Sequence, residues 1–207
     1  LERKKILKNK VEHIKFKDLK NTNELIEAYS KSSFQARKIG EGAKLYKKEL
    51  NRGTTIIWSL AGSIFSAGLR ELVIDSVRKN LVDCLVCTGA LFEQDMLEAL
   101  GYNHYVQTEE IEDKTLQNLL IDRIYDHLLD EIELQHVDET YKKIAKQMDS
   151  GNYSSREFME YCGKWLSNVK DANDSVILAA YEMNVPIFIP AINAVSYTHL
   201  TLPTIVS

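Results

Sequence analysis

The stretch TTIIWSLAGSIFSAGLRELVIDSVRKN, residues 54–80, decides the fold. Its opening, TTIIWSL, is β-branched and apolar throughout, the composition of a parallel strand covered on both faces. Leu69, Leu72, Val73 and Val77 then fall at helical spacing, and RKN supplies the basic end that a helix C-terminus favours. Gly62 and Gly68 stand at the junction, with Ser63 and Ser66 between them. After a parallel strand, such a junction lies at the carboxyl edge of the sheet, where α/β proteins bind ligands. Small residues there let an anion approach, and free backbone N–H groups at the helix start would meet it. The spacing is neither G-x-G-x-x-G nor G-x-x-x-x-G-K-[ST]. On these residues alone, a nucleotide loop and a plain tight turn both stand.

The pattern then repeats. LVDCLVCTG, residues 81–89, has the strand signature again, and LFEQDMLEALG, residues 91–101, is helical and closed by Gly101 at a C-cap-like position. Strand, helix, strand, helix within such a span predicts a βαβ arrangement with a parallel sheet. The second junction, CTGALFEQD, offers Thr88 and Gly89 and then the acids Glu93 and Asp95. An anionic or polar cofactor fits the two loops, and a cationic ligand fits the carboxylates just beyond. Cys84 and Cys87 form a C-x-x-C, which invites a redox or metal reading. In a strand, however, positions three apart point to opposite faces, so the pair is expected to be core thiols, and no metal site is expected.

Outward from this unit, residues 22–51 carry apolar positions among lysines and glutamates and predict two helices joined near SKSS. Beyond Gly101 lies a mainly helical, acidic section. LQNLLIDRIYDHLLDEIEL mixes helical spacing with charge, and VDETYKKIAKQM reads as an amphipathic helix. Ser154 three residues before Glu157 is the pattern of a capping box. Asp174 is expected to start the helix SVILAAYEMN, and VPIFIPAI returns as a strand with Pro186 and Pro190 near its ends. The expected fold is one doubly wound α/β domain with a mainly parallel sheet and N-terminal and inserted helices, the helical extension covering about residues 1–51.

The 207 residues can bury a sizeable core, and 44% hydrophobic with 27% charged residues is ordinary globular composition. A net charge of -4 gives no general reason to expect nucleic-acid binding. Residues 1–20 hold eight Lys/Arg against three Asp/Glu, and residues 109–139 hold eleven Asp/Glu against two Lys/Arg. Solvated helix faces account for this, and so does a surface that draws in a polycationic substrate or basic partner. No apolar run approaches membrane-spanning length, and no signal peptide is visible, so a cytoplasmic, membrane-free protein is expected.

Both ends read as edges. The chain begins at Leu1 without an initiator methionine. After PIFIPAIN the segment AVSYTHLTLPTIVS continues no period with what precedes it, and VSYTHLTLPT, residues 195–204, looks like a translated sequencing adapter. Residues 1–193 are therefore expected to be the N-terminal part of a broken reading frame, and 194–207 a non-native tail. His199 lies in that tail and is given no role.

LAGSIFSAGLRE, VDCLVCTGALFEQD and VPIFIPAIN together resemble the deoxyhypusine synthase family, with further agreement in FQARKIGEGAKLYKKEL. DRIYDHLLDEIEL and YSSREF are similar to its microbial, deoxyhypusine synthase-like branch. The resemblance implies a Rossmann-like NAD-binding core and a homotetramer with active sites between paired subunits. It also implies NAD-dependent transfer of the aminobutyl group of spermidine, by way of an enzyme lysine imine, to an acceptor amine. The implied acceptor is a lysine of the translation initiation factor 5A precursor, or putrescine as in homospermidine-forming relatives; a non-catalytic regulatory paralogue is the third possibility. By position, the family's NAD loops fall on Gly62, Ser63, Ile64, Phe65 and Ser66 and on Thr88, Gly89 and Ala90. Two neighbouring positions that face NAD and the polyamine fall on Glu93 and Gln94. Gln94 stands where the eukaryotic pattern has glutamate, which puts polyamine register or acceptor choice in question. The family's catalytic lysine lies beyond Asn193, so no lysine of this chain is assigned its role.

Overall fold

The computed structural model describes residues 7–190. The chain divides into two compact units between Thr55 and Ile56. The first contains helices α1 (Thr22–Tyr29) and α2 (Phe34–Arg52), joined across the SKSS segment as the sequence predicts. Asn21 begins α1 by accepting the Glu24 N–H at 3.0 Å.

The second unit starts with strand β1 (Ile57–Leu60), followed by a wide turn over Phe65–Leu69 and helix α3 (Arg70–Arg78). Strand β2 (Cys84–Cys87) leads into α4 (Gly89–Ala99), which ends at Gly101 with φ +91°. The next pieces are β3 (Tyr105–Val106), α5 (Asp113–Asn118), β4 (Ile121–Ile124) and β5 (His127–Asp130). Helices α6 (Glu131–Gln147), α7 (Ser155–Leu166) and α8 (Val176–Glu182) precede the last strand, β6 (Ile187–Phe188). The α7 start is the predicted capping box: the Glu157 N–H donates to Ser154 Oγ at 3.3 Å while Glu157 Oε2 accepts the Ser154 N–H at 2.7 Å.

The main sheet is parallel, in the order β1-β2-β6, as the βαβ pattern requires. Register pairs Trp58 with Leu85 and Leu85 with Ile187, so these share one face, which turns into the core lined by α3, α4, α7 and α8. Ile57, Ser59, Cys84, Val86 and Phe188 share the other. That second face is open among the described residues: Ile57 is 61% and Phe188 38% exposed. The expectation that β1 is covered on both faces is thus corrected. Among the described residues β1 stands at one end of the strand order, and the core helices pack on the Leu85 face.

Three further expectations change. In α3 the buried face is Arg70, Val73, Ile74 and Val77, while Leu69 and Leu72 are 48% and 58% exposed. The wide turn rotates the helix start, so Leu69 precedes the helix rather than sharing its apolar stripe. The N-cap of α8 is Ser175, which accepts the Leu178 N–H at 2.9 Å; Asp174, one residue earlier, instead takes two hydrogen bonds from Arg78 at 2.9 and 2.6 Å.

The third change is larger. LQNLLIDRIYDHLLDEIEL is not a continuous helix: β4 and β5 form a hairpin through Tyr125 and Asp126, and β3 joins it in an antiparallel sheet of order β3-β5-β4. Leucines and isoleucines three and four apart satisfy a helix template here by coincidence. Tyr125 takes φ +56°, and no Asn-Gly or Gly signal announces the turn.

This small sheet meets α4 through two histidines. His104 Nδ1 lies 2.8 Å from Glu98 Oε1, and its ring packs edge-on to His127 with centroids 5.8 Å apart. The Nε2 atoms of both rings are buried without a hydrogen-bond partner. Burial lowers both imidazole pKa values, with Glu98 opposing the shift at His104 and Asp126 at His127, and with Arg70 adding to it at His104. The native state therefore binds fewer protons than the unfolded chain. Stability is fully present above the unfolded value of about 6.5 and declines as pH falls through the lower folded values. Urea midpoints measured from pH 7.5 to 5 are expected to fall, and to fall less in a His104→Gln, His127→Gln double variant. Equal slopes in the two proteins would contradict this.

Candidate functional site

The carboxyl ends of β1 and β2 lie side by side, with Leu60 paired to Cys87. Each strand then releases a loop of small residues at the same edge. In the first, Gly62 takes φ +79°, a left-handed conformation that a side chain would strain. The chain then straps itself: the Ala67 N–H and Ser66 Oγ both donate to the Ser63 carbonyl at 3.0 Å. The Leu69 N–H reaches back five residues to the Ile64 carbonyl at 3.1 Å, and Gly68, with φ +86° and ψ +16°, breaks the helical path between them. Widened turns of this kind are frequent at functional sites.

The second loop is shorter. Thr88 precedes α4 in extended conformation, and its side chain makes no cap bond to the helix. Gly89 is buried as the first helical residue and Ala90 is half-buried.

The first loop is tied to α4 itself: the Ser66 N–H donates to Gln94 Oε1 at 3.2 Å. The structure thus brings together Gly62 to Ser66, the start of α4 and Gln94. Within that set the side chains differ in what they can offer. Gly62 is exposed, and Ser63, Ile64, Ser66, Thr88 and Glu93 are half-buried. The Phe65 ring is 1% exposed inside the core, so Phe65 can present only backbone to a ligand. Gln94 is also buried.

Asp95 corrects a sequence expectation. Its carboxylate is fully buried and already engaged: Oδ1 accepts from Arg70 Nε at 2.8 Å and from the Val176 N–H at 3.0 Å, and Oδ2 from the Ile177 N–H at 2.9 Å. It is not available to a cationic ligand. Glu93, two residues earlier on α4, is half-buried. Burial raises the Asp95 pKa, and the Arg70 guanidinium and the two backbone N–H groups oppose that rise. Arg70 in turn lies 3.4 Å from Glu98 and donates to the Asp174 carbonyl. This hub ties the helix after the first loop, the helix after the second and the start of α8. The sequence shows these residues, but only tertiary packing joins groups 25 and 81 positions apart.

Cys84 and Cys87 are free thiols on opposite faces of β2, as expected, but only Cys87 is a core thiol; Cys84 is half-buried on the other face. Burial pushes the Cys87 thiol up to about 12 and also raises Cys84, which disfavours the reactive thiolate at neutral pH. Among the described residues, no group of three His, Cys, Asp or Glu side chains is placed to hold a metal ion.

With this geometry in place, comparison with known proteins is decisive. The family model described as deoxyhypusine synthase matches residues 24–201. The chain belongs to the deoxyhypusine synthase family.

Within the deoxyhypusine synthase family, the chain is 40% identical over 187 residues to a deoxyhypusine synthase-like protein of Elusimicrobium minutum, covering 89% of this chain and 50% of the relative. A Coxiella burnetii protein of the same description is 38% identical over 192 residues, covering 91% and 54%. The Methanosarcina acetivorans protein named "Probable deoxyhypusine synthase 2" is 37% identical over 179 residues, covering 85% and 52%. The chain spans about half the length of the curated relatives it matches. In three dimensions it resembles the crystal structure of an Entamoeba histolytica protein assigned as a deoxyhypusine synthase, with TM-score 0.58 and 20% identity over 87% of this chain and 62% of that one. That likeness supports the Rossmann-like α/β fold of the deoxyhypusine synthase family.

Proposed function

We propose that the chain is the cofactor-binding part of an NAD-dependent aminobutyltransferase that uses spermidine. The observation that carries this is the pair of adjacent small-residue loops at the sheet's carboxyl edge, the first tied to α4 through Ser66 and Gln94, in a member of this family. The residues present suit a dinucleotide. Gly62 and Gly68 at positive φ and the exposed backbone around them let a pyrophosphate approach closely. Gly62, Ser63, Ile64, Phe65 and Ser66 would hold it on one side, Phe65 through its backbone, and Thr88, Gly89 and Ala90 on the other. When bound, NAD supplies hydride acceptance and return. Glu93, half-buried on α4, would attract an ammonium group of the polyamine.

The favoured acceptor is a lysine of the translation initiation factor 5A precursor, in a cytoplasmic homotetramer. Putrescine is the second, because relatives such as the Elusimicrobium minutum and Coxiella burnetii proteins bear the name deoxyhypusine synthase-like. No lysine of this chain is proposed as the imine-forming nucleophile, and residues 194–207 lie outside the described residues. Resequencing the gene across Asn193 tests the tail assignment. Incubating the intact gene product with NAD and labelled spermidine is expected to label the factor precursor. Labelled homospermidine with putrescine would point to the second acceptor. No label in either, alongside an active control enzyme, would refute transferase activity; a regulatory paralogue would then bind NAD without turnover.

A further inference from the structure

We propose that Gln94 is a positioning residue, whose amide oxygen holds the loop after β1 in the shape that NAD would meet; this rests on NAD being the ligand of that crevice. Gln94 is 5% exposed within α4, and its partner is a backbone group, the Ser66 N–H at 3.2 Å. A backbone N–H can only donate, so the amide must turn its oxygen to it. One lone pair of that oxygen thereby serves the loop.

Ser66 is the residue at which the loop needs an outside tie. Its hydroxyl straps it to Ser63, and beyond it the chain departs from helical geometry through the five-residue bond to Ile64 and the left-handed Gly68. The Phe65 ring anchors the loop in the core on one side of Ser66, and the Arg70–Asp95 pair anchors α3 further along. Between those two anchors, the Gln94 bond fixes the loop to the helix that begins at the neighbouring strand end. It sets the spacing between the two lips of the crevice.

An amide performs this without adding charge. Asp95, the next residue, is a fully buried carboxylate that already occupies the Arg70 guanidinium.

Two variants separate positioning from ligand contact. Gln94→Met keeps the length of the side chain and removes the acceptor; Gln94→Glu keeps an acceptor at the same reach. Calorimetric titration with NAD is combined with hydrogen exchange at the Ser66 amide. Gln94→Met is expected to weaken NAD binding about tenfold and to speed Ser66 exchange, and Gln94→Glu to restore slow exchange. NAD affinity equal to wild type in Gln94→Met overturns the proposal. So does weakened NAD binding with Ser66 exchange unchanged, which would make Gln94 a direct ligand contact. If the wild type takes up no NAD, the cofactor reading fails on its own. Exchange then decides the tie: faster exchange in Gln94→Met upholds it, and unchanged exchange overturns it.

Discussion

Asp95→Ala is expected to destabilise the protein by about 3–5 kcal/mol, because it removes one partner from a buried ion pair and leaves the other behind. Arg70 keeps Glu71, Glu98 and the Asp174 carbonyl as partners, but its side chain is 6% exposed, so water cannot take the place of Asp95. The same change strips the Val176 and Ile177 N–H groups of their acceptor at the start of α8. A buried donor left unpaired costs about 1–3 kcal/mol by itself. Asp95→Asn is expected to lose less, since an amide oxygen can still serve a backbone donor. Urea denaturation monitored by circular dichroism measures both. A loss below about 1 kcal/mol for Asp95→Ala would mean that the hub does not hold α3, α4 and α8 together.

Gly163→Ala is the second large effect. Gly163 lies in α7 where α8 crosses it, and an added Cβ would sit 2.3 Å from Tyr181 Cβ, 2.9 Å from its Cγ and 3.1 Å from the Ile177 carbonyl. The nearest of these atoms is attached directly to the α8 backbone, so the helices themselves must separate. Overpacking of this kind costs about 1–3 kcal/mol, occasionally more. Alanine also gains about 1 kcal/mol of helix propensity over glycine. The clash is severe enough that the net loss is expected at about 2 kcal/mol or more. Gly42→Ala in α2 is the control: nothing lies within 4 Å of its added Cβ, so the propensity gain should appear alone as a small stabilisation. A Gly163→Ala protein melting at the wild-type temperature would contradict the close approach of α7 and α8.

Much of the main sheet and its helices was legible because each element carries its own local signal. TTIIWSL and LVDCLVCTG announce parallel strands by composition, Ser154 and Glu157 announce a helix start, and Gly101 a helix end. The hairpin between Ile121 and Asp130 was not legible, since its apolar spacing imitates a helix and its turn, Tyr125-Asp126, places a tyrosine at positive φ with no Asn-Gly or Gly signal. The open face of β1 was hidden for a different reason. An apolar strand records the burial it requires, not which elements among the described residues supply it.

The candidate site divides in the same way. Its glycines and serines stand out in the sequence because a close backbone approach needs small residues. The fate of Phe65, Gln94 and Asp95 does not, because burial and long-range pairing decide it. Glu93 and Asp95 look equivalent in LFEQD, yet Glu93 is half-buried while Asp95 is fully buried and paired with Arg70. Adjacent acidic residues on a helix point about 100° apart, and those two positions apart point to different sides, so proximity in sequence is no guide to a shared role.

The most direct test of the central claim is a titration of isotopically labelled protein with NAD, followed by backbone amide chemical shifts. Saturable shifts concentrated at residues 62–68 and 88–90 are the predicted result. Shifts that do not saturate, or that saturate elsewhere while these amides stay unmoved in a natively folded sample, would contradict the assignment of the sheet's carboxyl edge as the dinucleotide site.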